Sequence, residues 1–153
     1  MDIRNELIVT APIFLLTATQ KCSLCGNDNL VASLATLNLL DPNDEDSVQQ
    51  IDDEGFMLSY IKALPDELLV IFLKRHPNYR FEYSSTAEAD YYMSVCECGG
   101  HYGDHYVHKK ISDMAFLHPD TLKVEKLPVE GSWVIPCNFT SSNCIGNMLK
   151  IHP

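Results

Sequence analysis

Basic residues are scarce in this chain: 11 lysines and arginines stand against 21 aspartates and glutamates, leaving a formal charge of −10. Such a chain repels phosphate backbones, which argues against nucleic acid as a partner. Its acidity suits solubility, cation binding or capture of a basic protein. Long apolar runs are missing as well. The stretch Leu7 to Thr19 is apolar but is interrupted by Pro12, and it falls short of the roughly 20 residues that span a bilayer. Asp2, Arg4 and Glu6 give the chain a negative start, where a secretory signal needs a positive one. Lys21 directly before Cys22 does not fit lipid attachment. The expectation is a cytoplasmic protein that does not enter a membrane. Familiar catalytic signatures are absent too: there is no G-x-S-x-G, no phosphate-cradling glycine loop, no H-E-x-x-H and no dinucleotide fingerprint. No internal repeat or low-complexity linker divides the chain.

What remains is an ordinary globular composition. The 153 residues are 46% hydrophobic and 21% charged, enough for one domain that buries about two thirds of its unfolded surface. In order, residues 6–10 and 13–19 predict one or two strands around Pro12, which belongs at an edge or bend. Val31–Leu40 predicts a buried strand, although Leu30, Leu34 and Leu37 would also share a helical face. Phe56–Ala63 predicts a strand. Leu64-Pro65-Asp66-Glu67 opens a helix over 65–76, with acids in its first turn and Lys74, Arg75 and His76 in its last. Residues 78–86 predict a polar connector, Asp90–Val95 a strand, Ile111–Leu117 a short helix and Thr121–Leu127 a strand, with helical character again over 142–150. The fold class expected is α+β: a mixed or antiparallel sheet with a few short helices, 1–153 forming a single domain.

The chemistry-bearing residues concentrate in Cys96-Glu-Cys-Gly-Gly-His-Tyr-Gly-Asp-His-Tyr-Val-His108, which holds two cysteines, three histidines and an aspartate. A second pair, Cys22-Ser-Leu-Cys25-Gly26, lies far upstream, Cys25 and Cys96 standing 71 positions apart. Zinc takes about four ligands at 2.0–2.3 Å, and two close-set thiolates supply a half-site from one turn. In a reducing compartment, six cysteines are better explained by metal ligation than by disulfides. Cys22, Cys25, Cys96 and Cys98 are therefore the candidate ligands of a structural Zn2+ that staples distant segments. The Cys96-x-Cys98 spacing is shorter than usual, and His101 is a candidate substitute ligand. Cys137 and Cys144 fit buried small-hydrophobe roles. A redox pair at Cys22 and Cys25 lacks the βαβ surroundings of a thioredoxin.

The histidines raise a second possibility. If helical, His101, Asp104, His105 and His108 would share one face as a hydrolytic metal site. Gly99, Gly100 and Gly103 disfavour helix there. A turn followed by a strand would put His101 and His105 on one face and Asp104 and His108 on the other, splitting the set.

With both cysteine segments in view, the chain resembles a group of small bacterial zinc-binding proteins. The resemblance rests on Lys21-Cys-Ser-Leu-Cys-Gly26 with Val31–Thr36, then Arg75-His-Pro-Asn-Tyr-Arg80 and Tyr83-Ser-Ser-Thr86. Tyr91-Tyr-Met93, the second cysteine pair and Gly103-Asp-His-Tyr106 complete it. It covers residues 20–108 and implies that Cys22, Cys25, Cys96 and Cys98 are ligands. The departure falls on Cys98, since the group's second pair is usually C-x-x-C. No activity comes with the resemblance.

The stretch Asp41 to Glu54 holds seven acidic residues and no basic one, and it lacks the glycine and terminal glutamate of a calcium loop. Asp44, Glu45, Asp46, Asp52 and Asp53 are the candidates for meeting a cationic partner. The functional expectation is a non-enzymatic, zinc-stabilised binding protein of the immunity or antitoxin kind, neutralising a basic toxin through its acidic surface. The alternative is a metal-dependent hydrolase using His101, Asp104, His105 and His108.

Overall fold

The computed structural model describes residues 6–42 and 54–151. Asp44, Glu45, Asp46, Asp52 and Asp53 lie outside the described residues. The molecule is α+β, with a six-stranded and a three-stranded sheet whose pairings are antiparallel.

A long hairpin forms the centre. β1 (Glu6–Lys21) runs back as β2 (Asp28–Leu40) in a register that reaches from Ile8↔Leu40 to Lys21↔Asp28. The two predicted segments around Pro12 are thus one strand. The register shifts between Thr10 and Ile13, at the residue that has no N–H to give a ladder. On its outer side β1 changes partner at the same place. Glu6–Thr10 pairs with β8 (Ser132–Pro136) and Phe14–Thr17 with β7 (Lys123–Lys126). On the far side of β2 lie β3 (Gly55–Ser59) and β9 (Asn138–Ser142).

Alternation along β1 explains why the run is apolar throughout. Ile13 and Leu15 face one core with Leu34 of β2, roofed by Leu68 and Phe72 of α1 (Asp66–Arg75). Phe14, Leu16 and Ala18 face the other core, closed by Val107 and Ile111 of α2 (Asp104–Leu117) and Ile145 and Leu149 of α3 (Asn143–Lys150). A strand covered on both faces has no polar side to show. Each buried leucine, isoleucine or phenylalanine among them contributes about 1.5–3 kcal/mol by leaving water.

The second sheet consists of β4 (Tyr79–Ser84), β5 (Ala89–Val95) and β6 (His101–Tyr102). Ser94 of β5 fastens it to the hairpin: its hydroxyl accepts from the backbone N–H of Ala32 at 3.2 Å and bonds the buried His76 ring at 3.0 Å. That attachment sets the β5–β6 turn beside the β1–β2 turn.

Several expectations are corrected. Residues 78–86 are mostly strand β4, because Tyr79, Phe81 and Tyr83 pair across to β5 rather than forming a connector. The strand predicted over Phe56–Ala63 stops at Ser59. Tyr60 adopts a positive φ of 52° and gives its N–H to Asp104 Oδ2 at 2.7 Å. The short helix expected at Ile111–Leu117 begins at Asp104. Residues 132–142 form two strands that no sequence pattern had marked. Among the described residues no helix is long and apolar enough to cross a membrane.

Candidate metal centre

The four paired cysteines sit on two turns. In the first, Cys22 closes around Asn27, giving its N–H to that carbonyl at 2.8 Å and accepting from Gly26 at 2.9 Å. In the second, Cys96 gives its N–H to Gly100 at 2.8 Å and accepts from Gly99 at 2.9 Å. Gly26 and Gly99 hold φ of 77° and 93°, conformations that cost side-chain-bearing residues about 1 kcal/mol or more. The shorter C-x-C spacing is accommodated because it lies in a tight hairpin turn closed by Gly99-Gly100.

The sulfurs converge across the turns. Cys22 Sγ lies 3.6 Å from Cys98 Sγ, and Cys25 Sγ lies 3.6 Å from Cys96 Sγ. All four fall within 4.8 Å of one another. Four sulfurs at 2.3 Å from a tetrahedral zinc would stand about 3.8 Å apart. The donor set therefore fits a single tetrahedral metal ion, and each closest pair joins one turn to the other.

Polar groups are aimed at the sulfurs. The backbone N–H groups of Cys25 and Leu24 point at Cys22 Sγ, that of Asn27 at Cys25 Sγ, and that of Gly100 at Cys98 Sγ. Asn29 Nδ2 donates to Cys96 Sγ at 3.2 Å and to Tyr102 Oη at 2.9 Å, while Tyr102 donates to the Gln20 carbonyl at 3.2 Å. These donors stabilise thiolates. The N–H groups of Cys25 and Leu24 bring the Cys22 thiol down to about 6. Cys98 receives one N–H from Gly100, yet its neighbours Cys96 and Cys22 push it up to about 12. Four thiols this close cannot all ionise alone, and a divalent cation removes the conflict.

Space around the sulfurs is equally tight. A Cβ on Gly100 would stand 2.8 Å from Cys22 Sγ and 3.5 Å from Cys98 Sγ, so any larger residue there would have to displace a sulfur. Cys22 and Cys96 are buried, whereas Cys25 and Cys98 are exposed, leaving one side of the site in contact with solvent.

The histidine set does not converge. Among the described residues the cysteines form the only group suited to a metal ion. His101 lies on β6 and is exposed, so it does not displace Cys98. Gly103 ends the strand and caps α2, which then carries Asp104 and His108 one turn apart and buried, with His105 exposed. The split into two pairs thus arises from a helix rather than the expected strand. His108 bonds Ser33 at 3.2 Å and Thr140 at 3.3 Å, and burial pulls its ring down to about 4. Burial likewise pushes the Asp104 carboxyl up to about 7, against the Tyr60 N–H that favours its charge. Of the remaining thiols, Cys137 is fully buried in the core and Cys144 packs at the edge of the other.

Asn29, Gly100 and Tyr102 complete the site without having been singled out by sequence. Gly100 was readable only as a bend. Asn29 and Tyr102 are 73 positions apart, and nothing in their spacing joins them. No family model, curated protein or solved structure matches the chain.

Proposed function

We propose that this chain is a non-enzymatic binding protein whose Cys22, Cys25, Cys96 and Cys98 hold one structural zinc ion. The convergence of the four sulfurs from two separate turns carries the reading. Tetrahedral sulfur ligation suits zinc or iron, and a staple between two sheets needs no redox change, which favours zinc. Kinship with the small bacterial zinc-binding group belongs to the same reading, supported by the order of the cysteine pairs. Metal analysis of the purified chain tests it. One zinc per chain, retained in His105→Ala and lost in Cys25→Ala, supports the structural site. Iron in its place, or loss of metal in His105→Ala alone, contradicts it.

The partner in this reading is a basic protein, as for an immunity or antitoxin protein. Support comes from the formal charge of −10, which would speed encounter with a cationic surface. Asp44, Glu45, Asp46, Asp52 and Asp53 would form the meeting face. Neutralising these five should weaken capture of such a partner in an affinity pull-down, and equal capture would count against that face.

A further inference from the structure

A strand that ends a sheet offers unpaired N–H and C=O groups to other chains unless something blunts it. β7 carries Lys123 and Lys126 in four residues, β6 has only two residues, and β9 passes directly into α3. β4 has no such device. Its six residues, Tyr-Arg-Phe-Glu-Tyr-Ser, include no proline, lysine or glycine and keep one register throughout. Among the described residues it pairs with β5 alone, and Phe81 and Tyr83 are 48% and 55% exposed.

The ladder fixes which backbone groups point outward. Tyr92, opposite Phe81, gives its N–H to the Ile61 carbonyl at 2.9 Å, on the side of β5 away from β4. Asn78 accepts from the Val95 N–H at 2.9 Å. Antiparallel pairs alternate, so Arg80 and Glu82 exchange bonds with β5, while Tyr79, Phe81 and Tyr83 turn their N–H and C=O to the open edge. The Tyr79 N–H is taken up by the His76 carbonyl at 3.2 Å.

About Phe81 this edge is complementary to itself. Arg80 and Glu82 flank it on either side, and Tyr79 and Tyr83 stand one position further out. A second copy laid antiparallel with Phe81 against Phe81 brings Arg80 of each copy opposite Glu82 of the other. In that register outward-facing residues meet, so each Phe81 N–H can reach the Phe81 carbonyl of the other copy. A slip of one residue sets outward-facing backbone against inward-facing and loses the bonds. A slip of two keeps them but places Arg80 against Arg80 or Glu82 against Glu82, which is unfavourable. The ion pair seen among the described residues joins Arg75 to Glu125, leaving Arg80 and Glu82 available.

We propose that β4 is the interface of a homodimer, in which two three-stranded sheets join into one of six strands about a twofold axis at Phe81. The formal charge of −10 opposes self-association elsewhere on the surface, whereas this edge is locally neutral. The interface rests on neither the zinc nor a basic partner. One strand edge is small beside the roughly 1,200–2,000 Å² of a standard interface, so a Kd on the order of 10–100 µM is expected.

Sedimentation equilibrium of the metal-loaded full chain, over about 5–500 µM, tests the proposal and should show a reversible monomer–dimer equilibrium. Arg80→Glu makes both facing positions acidic, and Glu82→Arg makes both basic. Each variant alone should associate about tenfold or more weakly. An equimolar mixture of the two should recover association, because acidic positions then face basic ones. Phe81→Pro removes an outward N–H without touching the ladder to β5 and should abolish the dimer. Thermal unfolding of every variant separates loss of the interface from loss of the fold. Amide exchange at Phe81 in the native chain should slow as its concentration rises. A chain that stays monomeric throughout overturns the proposal and leaves the edge to a strand of another protein. Association unchanged in both charge variants overturns it too, as does a mixture no stronger than either variant alone, or dimers in which Phe81 exchanges as fast as in the monomer.

Discussion

The segment from Cys96 to His108 contains two sets of metal-ligating residue types, and they meet opposite fates. Its cysteines reach across to Cys22 and Cys25 and complete a four-sulfur site. Its histidines and aspartate, more numerous and closer together, are shared between a strand, a helix core and a solvent face. Local density of ligands is therefore a poor guide. What decides is whether the backbone turns each side chain toward one point. The cysteines sit at the tips of two hairpins laid side by side. The histidines follow a helix that separates Asp104 and His108 from His105 by burying the first two.

The largest effect should come from breaking the cysteine set. In the proposed zinc site Cys96→Ser removes a buried ligand, and structural zinc contributes folding free energy on the order of 10 kcal/mol in small zinc domains. The variant should lose its metal and its cooperative thermal transition, and a strong chelator should do the same to the native chain. A transition unchanged by either treatment would mean that the staple contributes nothing.

Next comes the buried carboxyl. Asp104 ionises near pH 7 in the folded chain and near pH 4 when unfolded. The folded state therefore favours its protonated form. Its contribution is fully present below pH 4 and is lost as pH rises to 7, a loss on the order of 4 kcal/mol. His76 and His108 act in the opposite sense. Burial pulls both to about 4, so their contribution is present above about pH 6.5 and is lost as pH falls toward 4. Asp104→Asn, which keeps an acceptor for Tyr60, should remove the opposing slope. Denaturant titrations between pH 4 and 7 should then show stability rising more steeply with pH than in the native chain. An identical pH profile would contradict the assignment.

Smaller in effect is Gly100→Ala. The added methyl meets Cys22 Sγ at 2.8 Å and should cost about 1–3 kcal/mol by overpacking, with a matching loss in competition against a zinc chelator. Unchanged affinity would show that the turn yields freely. The smallest change should follow His105→Ala, an exposed position outside the sulfur set, within about 0.5 kcal/mol by thermal unfolding. A large destabilisation there would erase the contrast between the two sets.

The sequence showed the parts governed by local chemistry. Helix 65–76 was legible from Pro65, its acidic first turn and its basic last turn, and it is seen at Asp66–Arg75. The two strands of the central hairpin were legible from their apolar runs, though not their pairing, and the four-sulfur cluster from two cysteine pairs that each precede glycine. What stayed hidden depends on distant pairing. β4 presents Tyr79, Phe81 and Tyr83 among polar residues, and only β5 across from it makes that a strand. The helix starting at Asp104 was obscured by Gly103, which reads as a breaker and acts as a cap. β8 and β9 are held by β1 and β3, in pairs as widely separated in sequence as Glu6↔Pro136 and Gly55↔Ser142. The Asn29–Tyr102 clamp on Cys96 is a product of that same long-range packing.

X-ray absorption at the zinc edge of the purified chain tests the four-sulfur centre most directly. The account predicts four sulfur scatterers at about 2.3 Å and no nitrogen or oxygen in the first coordination sphere. A sphere containing histidine nitrogen, or fewer than four sulfurs, would contradict it.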